Sequence, residues 1–505
     1  MKILMVYPQF PITFWSFKHA LKFVSKKSSY PPLGLLTVAA MLPAAWEKKL
    51  VDMNVTRLTD EDIRWADYVF ISAMVIQKES VKEVIRRCRE LGAKTVAGGP
   101  LFTMEPDDYP TVDHLVLGEA EAILPEFLTD LIGGCAHRLY KSPATPDVCT
   151  TPLPLWSLIK MKHYSSMSIQ YSRGCPFNCE FCDIVLLNGH RPRTKSKVQI
   201  IAELDTLYSQ GWRGGVFIVD DNFIGNKKKL KEEILPAIIA WRKGKKRPFP
   251  LNTETSINLA DDEELIRLMV DAGFNAVFVG IETPNEESLA ECAKSQNRNR
   301  DLQAAVRKLH NFGLEVQGGF IVGFDSDPLS IFRSQINFIQ KSGIVTAMVG
   351  LLNAPPGTRL YHRLKQENRI VGEFDGSNTE CNFIPKMKYQ TLVSGYKNIL
   401  HNIYSSRQYY ERINTFLKEF KPRKNKLADF KFNYLKTLWK AFWILGVWEN
   451  GKRHYWKLMV STVLKRPRSF PVAMKLAIYG YHFRRVADKY IGKTMSMRET
   501  GNSSG

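Results

Sequence analysis

Short apolar runs alternate with amphipathic stretches through the first 145 residues. KILMVYP, KLVDMN, YVFISAM, KTVAGGP and HLVLGE read as buried strands, while segments such as KESVKEVIRRCRELG carry helical spacing. Strands and helices taking turns at this rhythm predict an α/β fold with a parallel, doubly wound (Rossmann-like) sheet over 1–145. Ligands on such sheets bind at the carboxyl ends of the strands. The loops SAMVIQ, GGPLF and GEAEA lie there, and Gly98 and Gly99 would let the backbone approach a ligand closely.

The proline-rich stretch SPATPDVCTTPLPLW marks a joint, and a linker is expected at 146–164. The alternation restarts over 165–360. SMSIQYSRG, GVFIVDD, LNTETSI, AVFVGIE, EVQGGFIVGF and AMVGLLNAP are strand candidates separated by helical patterns. Such β/α units predict a barrel or open part-barrel with its functional groups at the strand ends. Those ends carry Asp220, Asp221, Asn222, Glu254 and Glu282. One carboxylate after an apolar run is often only a helix cap. Several at successive strand ends converge on one mouth. Residues 361–495 read as a helical, basic and aromatic domain, and 496–505 as a disordered tail.

Composition changes the picture in two ways. The 505 residues leave room for two or three domains. The 71 Lys and Arg against 50 Asp and Glu give a net charge of +21, which suits an anionic partner, unless it is simply a solvated basic surface. MKILMVYPQF reads as a strand rather than a cleavable signal, and no stretch is apolar enough to span a bilayer. A reducing, cytoplasmic setting is therefore expected, with Cys88, Cys135, Cys149, Cys292 and Cys381 as free thiols.

The remaining cysteines, Cys175, Cys179 and Cys182, lie in RGCPFNCEFCDI with C-x3-C-x2-C spacing. Three thiolates so close bind a soft metal or an iron–sulfur cluster. Zinc would want a fourth Cys or His in partner spacing. His163 and His190 flank the motif without forming such a pair. A cubane cluster on three cysteines leaves one iron open to a substrate or cofactor.

This motif after the first strand of a barrel resembles the radical S-adenosylmethionine (SAM) superfamily, and Phe181 before the last cysteine agrees. The resemblance implies a [4Fe-4S] cluster on Cys175, Cys179 and Cys182 whose open iron chelates SAM. The reduced cluster then cleaves SAM to a radical that takes hydrogen from an unactivated carbon. VDDNF stands where the family commonly has a Gly-Gly-Glu turn for the SAM amino group. Asp220, Asp221, Asn222, Glu254, Glu282 and Gly323 are then expected around SAM. Arg191 or Arg193 would pair with the SAM carboxylate if not merely solvated. No residue is assigned as catalytic.

The N-terminal part resembles the cobalamin-binding domain often fused to these barrels, through YPPLGLLTVAA, ADYVFISAM, AGGP and VLGEAEAIL. This implies cobalamin near Ser72, Gly98, Gly99, Pro100, Gly118 and Glu119. The Asp-x-His-x-x-Gly signature is absent and the loop reads YPQFPITFW, which implies cobalamin without a protein histidine ligand. RPRTKS, VDDNFIGNKK, GIETPNEESL, GGFIVGFDSDP and LLNAPPGTRL resemble the cobalamin-dependent subgroup that includes the hopanoid C-2 methylase.

The resemblance implies methylation of an unactivated carbon of a lipid such as a hopanoid or isoprenoid, with a reducing partner such as ferredoxin or flavodoxin. Ring-forming or other carbon-skeleton chemistry with the same cofactors is the alternative, and a cofactor sensor is a further one. RNA modification is disfavoured, because the chain lacks a second cysteine cluster and ends in helices, so no nucleic-acid partner is expected. Trp439, Trp443, Trp448 and Trp456 stand among lysines. They form either the core of a helical domain or a peripheral contact with the inner face of a membrane.

Overall fold

In the computed structural model the described residues are 1–142, 144–377, 379–421 and 432–492. The expected disordered tail, 496–505, lies outside them. The first sheet comprises β1 (Lys2–Tyr7), β2 (Glu47–Asp52), β3 (Tyr68–Ser72), β4 (Lys94–Gly98), β5 (His114–Leu117) and β6 (Leu139–Lys141). They run in the order β2-β1-β3-β4-β5-β6, all parallel. Ile3, Leu4, Met5 and Val6 are fully buried, because helices cover both faces of the sheet. β6 was not anticipated. It has three residues, and only Tyr140 points inward.

The second sheet is built from β7 (Ser166–Ile169), β10 (Gly215–Ile218), β11 (Leu251–Thr255), β12 (Phe274–Glu282), β13 (Glu315–Val322) and β14 (Ala347–Leu351). Its order is β14-β13-β12-β11-β10-β7, again all parallel, so β7 and β14 are the edges of an open part-barrel. Between β7 and β10 lies a small antiparallel pair, β8 (Ser172–Arg173) with β9 (Arg193–Thr194). These two-residue strands frame the cysteine loop.

The segment after β1 leaves the first domain and straps the barrel. The carbonyls of Ser28 and Ser29 accept from the amides of Ser165 and Ser166 at 3.1 and 3.0 Å. This covers the open edge beside β7, where unpaired backbone groups would otherwise lie bare. Helices α1 (Tyr389–Tyr404), α2 (Ser406–Glu419), α3 (Phe432–Trp443), α4 (Lys452–Lys465) and α5 (Phe470–Gly492) form the C-terminal part. Tyr396 and Ile399 of α1 and Leu476 and Phe483 of α5 join the barrel's own core. The four tryptophans do not. Trp439 is 62 % exposed and Trp448 72 %, with Trp443 and Trp456 about half as open, so the helical core is made by Tyr455, Leu458 and Met459 instead. Among the described residues no helix is long and apolar enough to cross a membrane.

One buried hydrogen bond ties the two sheets together. Tyr164, just before β7, donates its hydroxyl to Asp52 Oδ2 at the end of β2, at 2.9 Å. Burial pushes the Asp52 pKa up, while Asn54 and Tyr164 donate to the carboxylate and limit the rise. Replacing Tyr164 by Phe should leave a buried carboxylate short of one donor and cost about 1–3 kcal/mol. A lower urea midpoint at unchanged slope checks this.

Candidate active site

The cysteine loop leaves β8 through Gly174, whose φ is +97°. A Cβ there would lie 2.8 to 3.0 Å from the carbonyl oxygens of Arg191, Gly189 and Asn188. These are backbone atoms and cannot swing aside, so only glycine fits. The loop is held from below by the end of β10. Asp221 Oδ2 accepts from the Gly174 amide at 2.8 Å and from Asn188 Nδ2 at 3.0 Å. Asp220 accepts from the amides of Tyr171 and Ser172 at 2.8 Å and from the Ser172 hydroxyl at 2.6 Å. Burial pushes the Asp220 pKa up to about 7 despite these donors. Asn222 turns the other way and accepts from the Ser256 amide at 3.1 Å. These three residues therefore brace the strand ends, through both oxygens of Asp220, Oδ2 of Asp221 and Oδ1 of Asn222.

Cys175, Cys179 and Cys182 are all free and half-buried. Among the described residues no group of His, Cys, Asp and Glu closes on a single metal ion. That donor set fits a cluster, in which each thiolate takes a different iron, better than a mononuclear site. Burial pushes the Cys182 thiol up to about 12, so metal coordination is what would hold it as thiolate.

Two groups facing the cysteines carried no signal in the sequence. Lys294 Nζ bonds Glu282 Oε1 at 2.6 Å and lies 5.9 Å from the centre of the Phe181 ring. Burial would lower the Lys294 pKa, but Glu282 and Cys179 outweigh it and the pKa is raised. Gln296 Nε2 donates to Cys179 Sγ at 3.7 Å. Glu282 itself sits at a bulge with φ +62°, and its carbonyl accepts from the buried Gln335 amide at 3.1 Å. Gly323 follows β13 and places its amide on Asp327 Oδ2 at 2.8 Å, and Arg191 is exposed beside the loop.

The first domain meets this loop through an ion-pair clamp. Arg173, two residues before Cys175, donates to Glu119 Oε2 at 2.6 Å and to both oxygens of Glu121 at 2.7 and 2.9 Å. Arg193 pairs with Glu119 and also donates to the Pro146 carbonyl at 2.7 Å. All four side chains are at most 15 % exposed. Glu119 is separated from the end of β5 by Gly118 alone, so the strand-end edge of the first sheet lies against the cysteine loop. Ser72, Gly98, Gly99, Pro100 and Gly118 share that edge. Gly99 has φ +90°, and a Cβ there would come within 2.6 Å of Ser72 Oγ. A Cβ on Gly118 would meet nothing within 4 Å.

Inside the barrel, Phe217, Asn252, Glu254, Phe278 and Gln317 alternate with the outward core residues of β10 to β13. The strap adds aromatic rings to this lumen. Trp15 lies 4.9 Å from Phe278 and Tyr30 5.1 Å from Phe217. Burial, then the charges of Asp221 and Asp220, push the Glu254 pKa up to about 7.

Two outcomes test this geometry. Gly174→Ala should prevent cluster assembly, read as lost iron and sulfide after reconstitution. Arg173→Ala leaves the buried Glu121 carboxylate without a cation, while Glu119 keeps Arg193, and should cost about 3–5 kcal/mol of stability. The clamp also sets an acid limit. Burial would raise the Glu121 pKa, but Arg173 overrides it and lowers it from 4.5 to about 2. A depressed carboxylate contributes fully above its ordinary value and loses that contribution as pH falls towards its folded one. Wild-type stability should fall between these two pH values, and Arg173→Ala should flatten that fall. Thermal melts across the range check both.

Comparison with known proteins agrees with the geometry. Residues 169–334 match the Radical SAM superfamily, 23–128 the B12 binding domain, and 358–495 a domain of unknown function (DUF4070). An uncharacterized methyltransferase of Synechocystis sp. is 40 % identical, over 98 % of this chain and 94 % of that protein. The hopanoid C-2 methylase of Rhodopseudomonas palustris is 32 % identical, over 92 % of this chain and 90 % of that one. Among solved structures, the cobalamin-dependent S-adenosylmethionine radical enzyme OxsB with aqua-cobalamin bound superposes with a TM-score of 0.61 at 14 % identity, covering 97 % and 80 % of the two chains. The three-part chain, its cysteine loop and these relatives together make it a member of the cobalamin-binding radical SAM enzymes, which use a [4Fe-4S] cluster, SAM and cobalamin, in the subgroup that includes the hopanoid C-2 methylase.

Proposed function

We propose that the protein transfers a methyl group to an unactivated carbon of a polycyclic or isoprenoid lipid held at the inner face of the membrane. The observation that carries this reading is the clamp of Arg173 and Arg193 on Glu119 and Glu121, which presses the two cofactor edges together. Bound cluster and SAM supply hydrogen abstraction, and bound cobalamin supplies the methyl group. The protein's own task is to hold one carbon where both can reach it and to keep water out.

Each part of the site has a share in that task. Cys175, Cys179 and Cys182 hold the cluster, and Asp220, Asp221 and Asn222 keep their loop and its supporting strands in place. Glu282 with Lys294, and Glu254 in the lumen, are the polar groups left to meet SAM. Ser72, Gly98, Gly99, Pro100 and Gly118 form the cobalamin edge. Trp15, Tyr30, Phe217 and Phe278 give the lumen an aromatic wall suited to a flat hydrocarbon. The similarity to a hopanoid methylase over most of the chain supports a lipid of that class.

The test uses anaerobically purified, reconstituted protein incubated with hydroxocobalamin and desalted. Cobalamin should remain bound in near-stoichiometric amount. With a chemical reductant, SAM carrying a labelled methyl group and a detergent-dispersed triterpene hydrocarbon, product should gain one labelled methyl. Cys175→Ala, Cys179→Ala and Cys182→Ala should each reduce this to background. SAM cleavage that persists while cobalamin washes out would overturn methyl transfer in favour of carbon-skeleton chemistry.

A further inference from the structure

Helices α3 and α4 carry two apolar stripes each. The inner stripe, with Ala441 of α3 and Leu445 just after it on one side and Tyr455, Leu458 and Met459 on the other, packs into the core. The outer stripe is left largely bare by the described residues, with Trp456 alone tied back through Nε1 to the Gly446 carbonyl at 3.0 Å. On α3 it is Leu435, Trp439, Phe442 and Trp443, and on α4 it is Trp456, Val460, Val463 and Leu464. Both follow the spacing i, i+4, i+7, i+8, which places them on one face of each helix. The two faces join, since Phe442 lies 5.5 Å from both Trp443 and Trp456. Trp443 also contacts Trp439 at 5.7 Å and Trp448 at 6.1 Å. The result is a continuous exposed aromatic and aliphatic surface, with Leu464 at its far end 76 % exposed. Surfaces of this kind on a soluble-type fold mark an interaction site.

Charge decides which partner fits. Residues 435–468 hold eight lysines and arginines against one acidic residue, Glu449. Glu449 faces inward, where its carboxylate accepts from Arg484 Nε at 3.4 Å. Lys436, Lys452, Arg453, Lys457 and Lys465 are exposed around the stripe. Tryptophans on the apolar face with cations flanking them match the headgroup region of an anionic bilayer, where indole rings sit at the interface and lysines meet lipid phosphates.

We infer that the outer face of α3 and α4 docks this protein on an anionic bilayer surface. The inference deepens the lipid reading above by saying where the protein meets the membrane. The docking face is fastened to the strap that lines the lumen. Lys440 Nζ donates to the Lys22 carbonyl at 2.7 Å and to Ser25 Oγ at 3.1 Å, and the same strap places Trp15 against Phe278.

The experiment is vesicle sedimentation with the reconstituted full-length holoenzyme, using phosphatidylcholine vesicles with and without phosphatidylglycerol. Wild type should partition at least several-fold more strongly onto the anionic vesicles, and salt should weaken it. Trp439→Glu with Trp448→Glu should abolish partition while leaving thermal melting and cluster absorption unchanged, since both side chains are exposed. Lys452→Gln with Lys457→Gln should weaken binding to anionic vesicles only. Absence of wild-type partition, or partition unaffected by the tryptophan variant, would overturn the inference. So would a wild-type dimer in sedimentation velocity that becomes monomeric in the tryptophan variant, because the face would then belong to a second copy. Methyl transfer to detergent-dispersed lipid is scored separately. Vesicle binding without methylation leaves docking standing and removes the substrate reading, and methylation without vesicle binding does the reverse.

Discussion

The site depends on four buried charges. Arg173 and Arg193 on the barrel side meet Glu119 and Glu121 on the cobalamin side, and none of them is more than 15 % exposed. Taking such ions out of water is expensive, and a single unpartnered member would not be tolerated. The arrangement is stable because each guanidinium satisfies several acceptors at once and each carboxylate receives from more than one donor. Its consequence is positional. Arg173 is separated from Cys175 by Gly174 alone, and Glu119 from the end of β5 by Gly118 alone. With so little chain between clamp and loop on either side, the ion pairs hold the end of β5 against the cysteine loop.

The remaining carboxylates divide between holding the chain and facing the lumen. Asp220 and Asp221 sit at a strand end where the sequence suggests cofactor contact; both oxygens of Asp220 and Oδ2 of Asp221 accept from Tyr171, Ser172, Gly174 and Asn188. A carboxylate that binds backbone amides at this depth fixes a loop better than a flexible side-chain contact would, because the amides have no rotamers to lose. Glu254 and the Glu282–Lys294 pair are left pointing inward. Lys294 brings a positive charge toward thiolates that a cluster would render anionic, and Gln296 adds a hydrogen bond to one sulfur. Both are ways in which a protein tunes such a cluster.

The order and type of most strands were legible, because a strand covered on both faces reads as a nearly unbroken apolar run, as β1 and β3 do. β6, β8 and β9 were not, since two or three residues carry no period. The three cysteines were legible from spacing alone. Lys294 was not, because ECAKSQ resembles any helix end and its meeting with Glu282 and Cys179 exists only after folding. Glu119 stands in a strand-end loop where the sequence suggests a cobalamin contact, and its partner Arg193 lies 74 residues away. Long-range charge pairing of this kind leaves no local pattern. The tryptophans were visible as a cluster, and the outward i, i+4, i+7, i+8 stripes can be traced in the sequence, but only packing shows which of two apolar faces is left bare.

The strap is where these separate features become one machine part. It touches the edge of β7 through Ser28 and Ser29, α3 through Lys22 and Ser25, and the lumen through Trp15 and Tyr30. Its anchor is His482 on α5. Nε2 of that ring lies 3.1 and 3.0 Å from the carbonyls of Thr13 and Phe14, so it must carry a proton and donate. Burial lowers the His482 pKa to about 4, which leaves the ring neutral near pH 7 and makes Nδ1 an acceptor for the His19 amide at 3.4 Å. A single tautomer therefore satisfies the strap from both sides. Phe14 then packs among Tyr404, Phe483 and Tyr490. The loop after β1 thus lines the barrel, and a buried histidine on the last helix holds it there.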